Sequence, residues 1–159
     1  MFIGRQVAMK VKLVDRPGGR KNHDGDIPLI GGILIYVVIL FGSLLSPSTS
    51  SVILQILLLS GPVVIVGFID DLRSVGWRIR LVIQTLSCVS VIAVTELYVK
   101  DLGSFAWIVD IELGTFGIPF TIFAVVGLTN AFNMIDGHDG FAGFAVLTAV
   151  LGMMLFGGP

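Results

Sequence analysis

Five apolar stretches dominate this chain of 159 residues: 27–45, 52–69, 81–97, 116–135 and 141–156, with Glu96, near the end of the third, their one charged residue. A helix of about 18 residues rises roughly 27 Å, close to the hydrocarbon thickness of a bilayer. Hydrophobic residues make up 55% of the chain and charged residues 13%, and the mean hydropathy is +0.97. That balance excludes an ordinary soluble domain and predicts an all-α, polytopic membrane helical bundle with about five transmembrane helices. We read residues 1–159 as one membrane domain, part of a longer whole, because both ends look cut. A net charge of −1 gives no bulk attraction to nucleic acid, so no nucleic-acid partner is expected. The lone cysteine, Cys88, lies in the third run and reads as a small buried hydrophobe.

The segments between the runs set the topology. Residues 1–26 are basic, and Pro17-Gly18-Gly19 breaks any helix there; their first few residues are too short for a signal peptide. Residues 46–51 read as a turn, Gly61-Pro62 as a kink in the second run, and 70–80 as a polar loop. Between Trp107 and Leu113 apolar and acidic side chains alternate, which predicts a hairpin at the membrane interface within residues 98–115. Tyr98 and Trp107 suit an aromatic belt. With five spans the loops alternate sides. Arg5, Lys10, Lys12, Arg16, Arg20, Lys21, Arg73, Arg78 and Arg80 then share one side, and only Lys100 falls on the other. By the positive-inside rule the first side, including segment 1–26, is cytoplasmic.

Four aspartates stand out on that face. Asp70 and Asp71 close the second run, and Asp136 and Asp139 follow the fourth. A carboxylate at the centre of a membrane helix costs roughly 2.5–3.5 kcal/mol, so acids are rare in so apolar a chain unless they have work to do. Two acids at a helix C-terminus also oppose the macrodipole, which favours function over simple termination. Asp136 and Asp139 stand three residues apart, on one face of a helical turn, with Gly137 and Gly140 beside them to let backbone N–H groups approach an anion. Asn130 and Asn133 add neutral donors. His138 reads more readily as a solvated loop residue than as a ligand. The arrangement points to a divalent cation and phosphate chemistry. The basic, glycine-rich segment 15–32 suits phosphate oxygens, and serves equally as a topogenic cluster.

Read together, three blocks resemble the polyprenyl-phosphate N-acetylhexosamine-1-phosphate transferase family (glycosyltransferase family 4). They are 15–32, with Arg20-Lys21-Asn22-His23 and Ile27-Pro28-Leu29-Ile30-Gly31-Gly32; then Gly67-Phe68-Ile69-Asp70-Asp71; then 130–143. The branch most similar uses UDP-N-acetylglucosamine and undecaprenyl phosphate and primes cell-envelope polysaccharides such as lipopolysaccharide O-antigen. The resemblance implies a lipid phosphate attacking the β-phosphorus of a UDP-N-acetylhexosamine, with UMP leaving, at the cytoplasmic face of a bacterial plasma membrane. It implies Mg²⁺, with Mn²⁺ able to stand in. Asp70, Asp71, Asp136 and Asp139 would be catalytic, with Asp70, Asp71 and Asp139 at the metal. Arg20, Lys21 and His23 would contact phosphate, and Asn133 would orient ligand. Which acid does which is left open, as is assembly into a homo-oligomer. His138 stands where relatives carry an aliphatic residue, and no acid follows Asp71 within a few positions. A later Gly-Asp-x-Gly-Ser block of the family is absent, so the isolated chain is expected to be inactive.

Two other readings fit less well. Asp136-Gly137-His138-Asp139-Gly140 matches the opening of the CDP-alcohol phosphatidyltransferase signature, but the Ala-Arg that should follow is missing. A cation channel or transporter would place its acids near the midplane rather than at span ends.

Overall fold

A computed structural model describes residues 14–15, 27–28, 31–105, 109–135 and 141–156. The chain divides into two compact units, residues 1–98 and 99–159. In the first unit the strands β1 (Val14–Asp15) and β2 (Ile27–Pro28) pair antiparallel, Val14 opposite Pro28 and Asp15 opposite Ile27. Three helices follow: α1 (Gly31–Leu45), α2 (Ser51–Leu72) and α3 (Trp77–Thr95). The second unit holds a hairpin of β3 (Asp101–Phe105) and β4 (Val109–Glu112), a 3₁₀ turn (Gly114–Phe116), then α4 (Gly117–Ile135) and α5 (Phe141–Phe156).

The all-helical membrane class follows directly from these elements. Among the described residues three helices are long and apolar enough to cross a bilayer, Ser51–Leu72, Trp77–Thr95 and Gly114–Met134, and two more, Gly31–Leu45 and Gly143–Leu155, are apolar but shorter. The first apolar run thus yields a shorter helix than its 19 uncharged residues allow, because Ile27 and Pro28 are spent on β2. Large side chains such as Phe41, Leu45, Phe123 and Leu155 are exposed. On a soluble protein a surface of that kind would be an aggregation or binding patch; on a membrane helix it meets acyl chains or further helices.

Helices α1 and α2 meet through a neutral interlock. Tyr36 of α1 donates its hydroxyl to the Leu57 carbonyl of α2 at 2.7 Å, and Ser60 Oγ donates to the same oxygen at 2.9 Å. A Cβ at position 61 would lie 3.0 Å from the Tyr36 oxygen, so Gly61 leaves room for the Tyr36 hydroxyl at this contact. α2 runs unbroken through Pro62. It starts on the side chain of Ser50, which accepts from the Ile53 N–H at 3.3 Å as an N-cap. α3 packs on α2 and carries the buried residues described in this unit, Ser87, Cys88 and Ile92. It ends at Glu96, whose backbone takes the left-handed conformation (φ 57°) more usual for glycine.

In the second unit β3 and β4 form the hairpin expected within residues 98–115, with Phe105 opposite Val109 and Ser104 opposite Asp110, and an irregularity in register around Gly103. Thr121 ties this loop to α4. Its buried hydroxyl donates to the Gly117 carbonyl at 2.7 Å and accepts from the Val99 N–H at 2.9 Å.

Candidate active site

The described part of the site lies where α2 gives way to α3. Asp70 and Asp71 occupy the last turn of α2, and Arg73 ends the helix by turning extended (φ −147°), its N–H still bonded to the Ile69 carbonyl at 2.7 Å. Residues 73–76 make the connection, and α3 opens at Trp77 with no side-chain cap on Gly76.

Asp70 organises this junction. One carboxylate oxygen accepts from the Val75 N–H at 2.7 Å, and the other accepts from Nη1 of Arg80 at 2.5 Å. Asp70 is 21% exposed and Arg80 26%, so the pair is only partly screened by water. Each residue alone sits at the unfavourable end of its helix: Asp70 in the last turn of α2, Arg80 at the fourth position of α3, where its first turn closes. Such placements cost roughly 0.3–1 kcal/mol apiece. Paired across the loop, the two charges offset one another and the facing helix ends. The Nε of Arg80 is buried and has no hydrogen-bond partner among the described residues. Asp71, the next residue, is exposed. Consecutive helix residues project about 100° apart, so the two acids look in different directions. Arg73 and Arg78 are exposed, and the Arg78 guanidinium lies 5.2 Å from the Trp77 ring centroid, a cation–π contact.

In the second unit Asn130 and Asn133 lie in the last turns of α4. Asn130 donates its amide back to the Val126 carbonyl at 2.8 Å, and Asn133 is exposed one turn further on. Asp136, Asp139, Arg20, Lys21 and His23 lie outside the described residues. Among the described residues no group of three acids, histidines or cysteines is arranged to hold a metal ion. Sequence reading missed Arg80 as the partner of Asp70 and counted it only toward topology. The available signal was an arginine just inside an apolar helix, separated by a short loop from an acid just inside the preceding one.

Apolar helices whose ends collect carboxylates and guanidinium groups define a class: an integral membrane protein with its polar chemistry at the helix ends. Within that class the chain belongs to glycosyl transferase family 4, whose family model matches residues 53–158 and so takes in both aspartate pairs. It is 37% identical over 158 residues to the undecaprenyl-phosphate alpha-N-acetylglucosaminyl 1-phosphate transferase of Yersinia pestis, covering 98% of this chain and 43% of that protein. The protein of the same name from Escherichia coli strain K12 is 38% identical with the same coverage. A probable undecaprenyl-phosphate N-acetylglucosaminyl 1-phosphate transferase of Bacillus subtilis strain 168 is 32% identical over 161 residues, covering 98% of this chain and 44% of that protein. The chain therefore spans less than half the length of the curated relatives it matches. No solved structure matches it.

Proposed function

We propose that this chain forms part of an enzyme that transfers N-acetylhexosamine-1-phosphate, GlcNAc-1-phosphate first among candidates, from a UDP-sugar to undecaprenyl phosphate. The product would prime cell-envelope polysaccharide synthesis. The observation that carries the reading is 37–38% identity along 98% of the chain to proteins named for the undecaprenyl-phosphate reaction. The nine-to-one distribution of cations supports an active face on the cytoplasmic side of a bacterial plasma membrane.

In the proposed reaction an oxygen of the lipid phosphate attacks the β-phosphorus of the UDP-sugar. A new P–O bond forms, the bond from that phosphorus to the bridging oxygen breaks, and UMP leaves with the bridging oxygen. A phosphate monoester is already largely ionised near neutral pH, so a dedicated general base is not required. Catalysis then rests on positioning and charge stabilisation. Asp71 at the end of α2 and, in the segment that follows α4, Asp136 and Asp139 are the acids assigned to the reacting groups. Arg20, Lys21 and His23 are assigned to phosphate and Asn133 to ligand orientation. Mg²⁺, when bound, supplies the positive charge that lets two anions meet. Asp71 is the more exposed of the two and fits such a role better than the half-buried Asp70.

The test is direct. Membranes from cells expressing the full-length gene are incubated with labelled UDP-GlcNAc and undecaprenyl phosphate. Label moving into the organic phase with release of one UMP per lipid is the expected result. No lipid-linked label, under conditions where the Escherichia coli relative gives it, would overturn the reading.

A further inference from the structure

Asp70 and Asp71 are adjacent in sequence, yet the structure gives them different surroundings. Asp70 is partly buried and spends both oxygens within the chain, on a backbone N–H of the loop and on a guanidinium of the next helix. An oxygen at contact distance from Arg80 is poorly suited to a second cation, because guanidinium and metal would repel each other across it. Asp71 is exposed and points about 100° away. The Val75 N–H belongs to the 73–76 connection and the Arg80 guanidinium to the first turn of α3, so one carboxylate holds both the loop and the start of the next helix.

We propose that Asp70 is a positioning residue rather than a metal ligand: by clamping Val75 and Arg80 it holds the α2–α3 junction so that Asp71 meets the reacting groups from a fixed helix end. What Asp71 does in this account rests on the transferase reading above; the clamp itself does not.

The experiment uses the full-length enzyme in detergent, with Asp70→Ala, Asp71→Ala, Arg80→Gln and Arg80→Lys. Three readouts are compared: Mn²⁺ affinity by electron paramagnetic resonance, hydrogen exchange of the segment holding the Val75 amide, and kcat. In D70A the Val75 segment exchanges faster by about tenfold or more, while Mn²⁺ affinity stays within about threefold of wild type. In D71A the pattern reverses: affinity falls by about tenfold or more and exchange is unchanged. R80Q behaves as D70A, the D70A/R80Q double is no worse than either single, and R80K, which keeps the charge, retains at least about a third of kcat. Mn²⁺ affinity lost equally in D70A and D71A, or Val75 exchange unchanged in D70A, overturns the proposal. Should D70A not fold, R80Q decides, since unchanged exchange there also removes the clamp. If the wild-type enzyme transfers no sugar phosphate, the transferase reading falls, and the exchange data still uphold or overturn the clamp.

Discussion

The two helix contacts of the first unit are built on opposite principles. α1 meets α2 partway along both helices, through a neutral hydroxyl on a carbonyl and a glycine that removes a side chain. α2 and α3 also pack on one another, but their junction is tied by charge, through a carboxylate, a guanidinium and a loop amide. In hydrocarbon a charge is expensive and a neutral hydrogen bond is cheap, so close packing dominates there. At the polar margin water relaxes the cost, and charged groups can be both structural and chemical. Tyr36 and Gly61 can therefore only hold helices together, whereas the residues around Asp70 can also face substrates.

Four measurements break or sharpen that contrast. The largest effect is expected from Arg80→Met, which leaves Asp70 partly buried without its cation. Removing one partner of a fully buried pair costs about 3–5 kcal/mol, and partial exposure lowers this to roughly 2–3 kcal/mol. Thermal unfolding in detergent should show it, and a loss below about 0.5 kcal/mol would place the pair among ordinary surface ion pairs. Next comes Gly61→Leu, expected to cost about 1–3 kcal/mol by forcing Tyr36 off Leu57. Repeating it in a Tyr36→Phe background should recover part of that loss; equal losses in both backgrounds would mean the interlock is not where the strain falls. Tyr36→Phe alone should cost about 0.6 kcal/mol, the average for a hydrogen bond between membrane helices. Smallest is the response to salt. Raising ionic strength to about 1 M shortens the screening length to roughly 3 Å. It should erode the Arg80-dependent part of stability slightly and leave the Tyr36-dependent part unchanged.

The helices were legible because hydropathy is a property of single runs, and the runs are long. The hairpin was legible for a similar reason, since alternation between Trp107 and Leu113 is local. Boundaries were less so. The third run was expected from residue 81, yet α3 starts at Trp77, because Arg78 and Arg80 lower hydropathy without opposing helix formation. Ile27 and Pro28 looked like the start of a span, and nothing in an apolar dipeptide announces pairing with Val14 and Asp15. The site divides the same way. The placement of Asp70 and Asp71 at a helix end, and of Asn133 near another, came from span lengths. The Asp70–Arg80 contact did not, because residues ten apart across a loop meet through loop closure, which has no period to detect. Family membership, by contrast, was carried by short motifs whose order survives without any geometry.

The brevity of the 73–76 connection has a consequence for how the chain enters a membrane. Four extended residues reach at most about 14 Å, so neither flanking helix can slide far along its axis without dragging the other. The pair enters the bilayer as one helical hairpin, and any insertion or deletion that shifts the depth of α3 resets the depth of the carboxylates carried by α2.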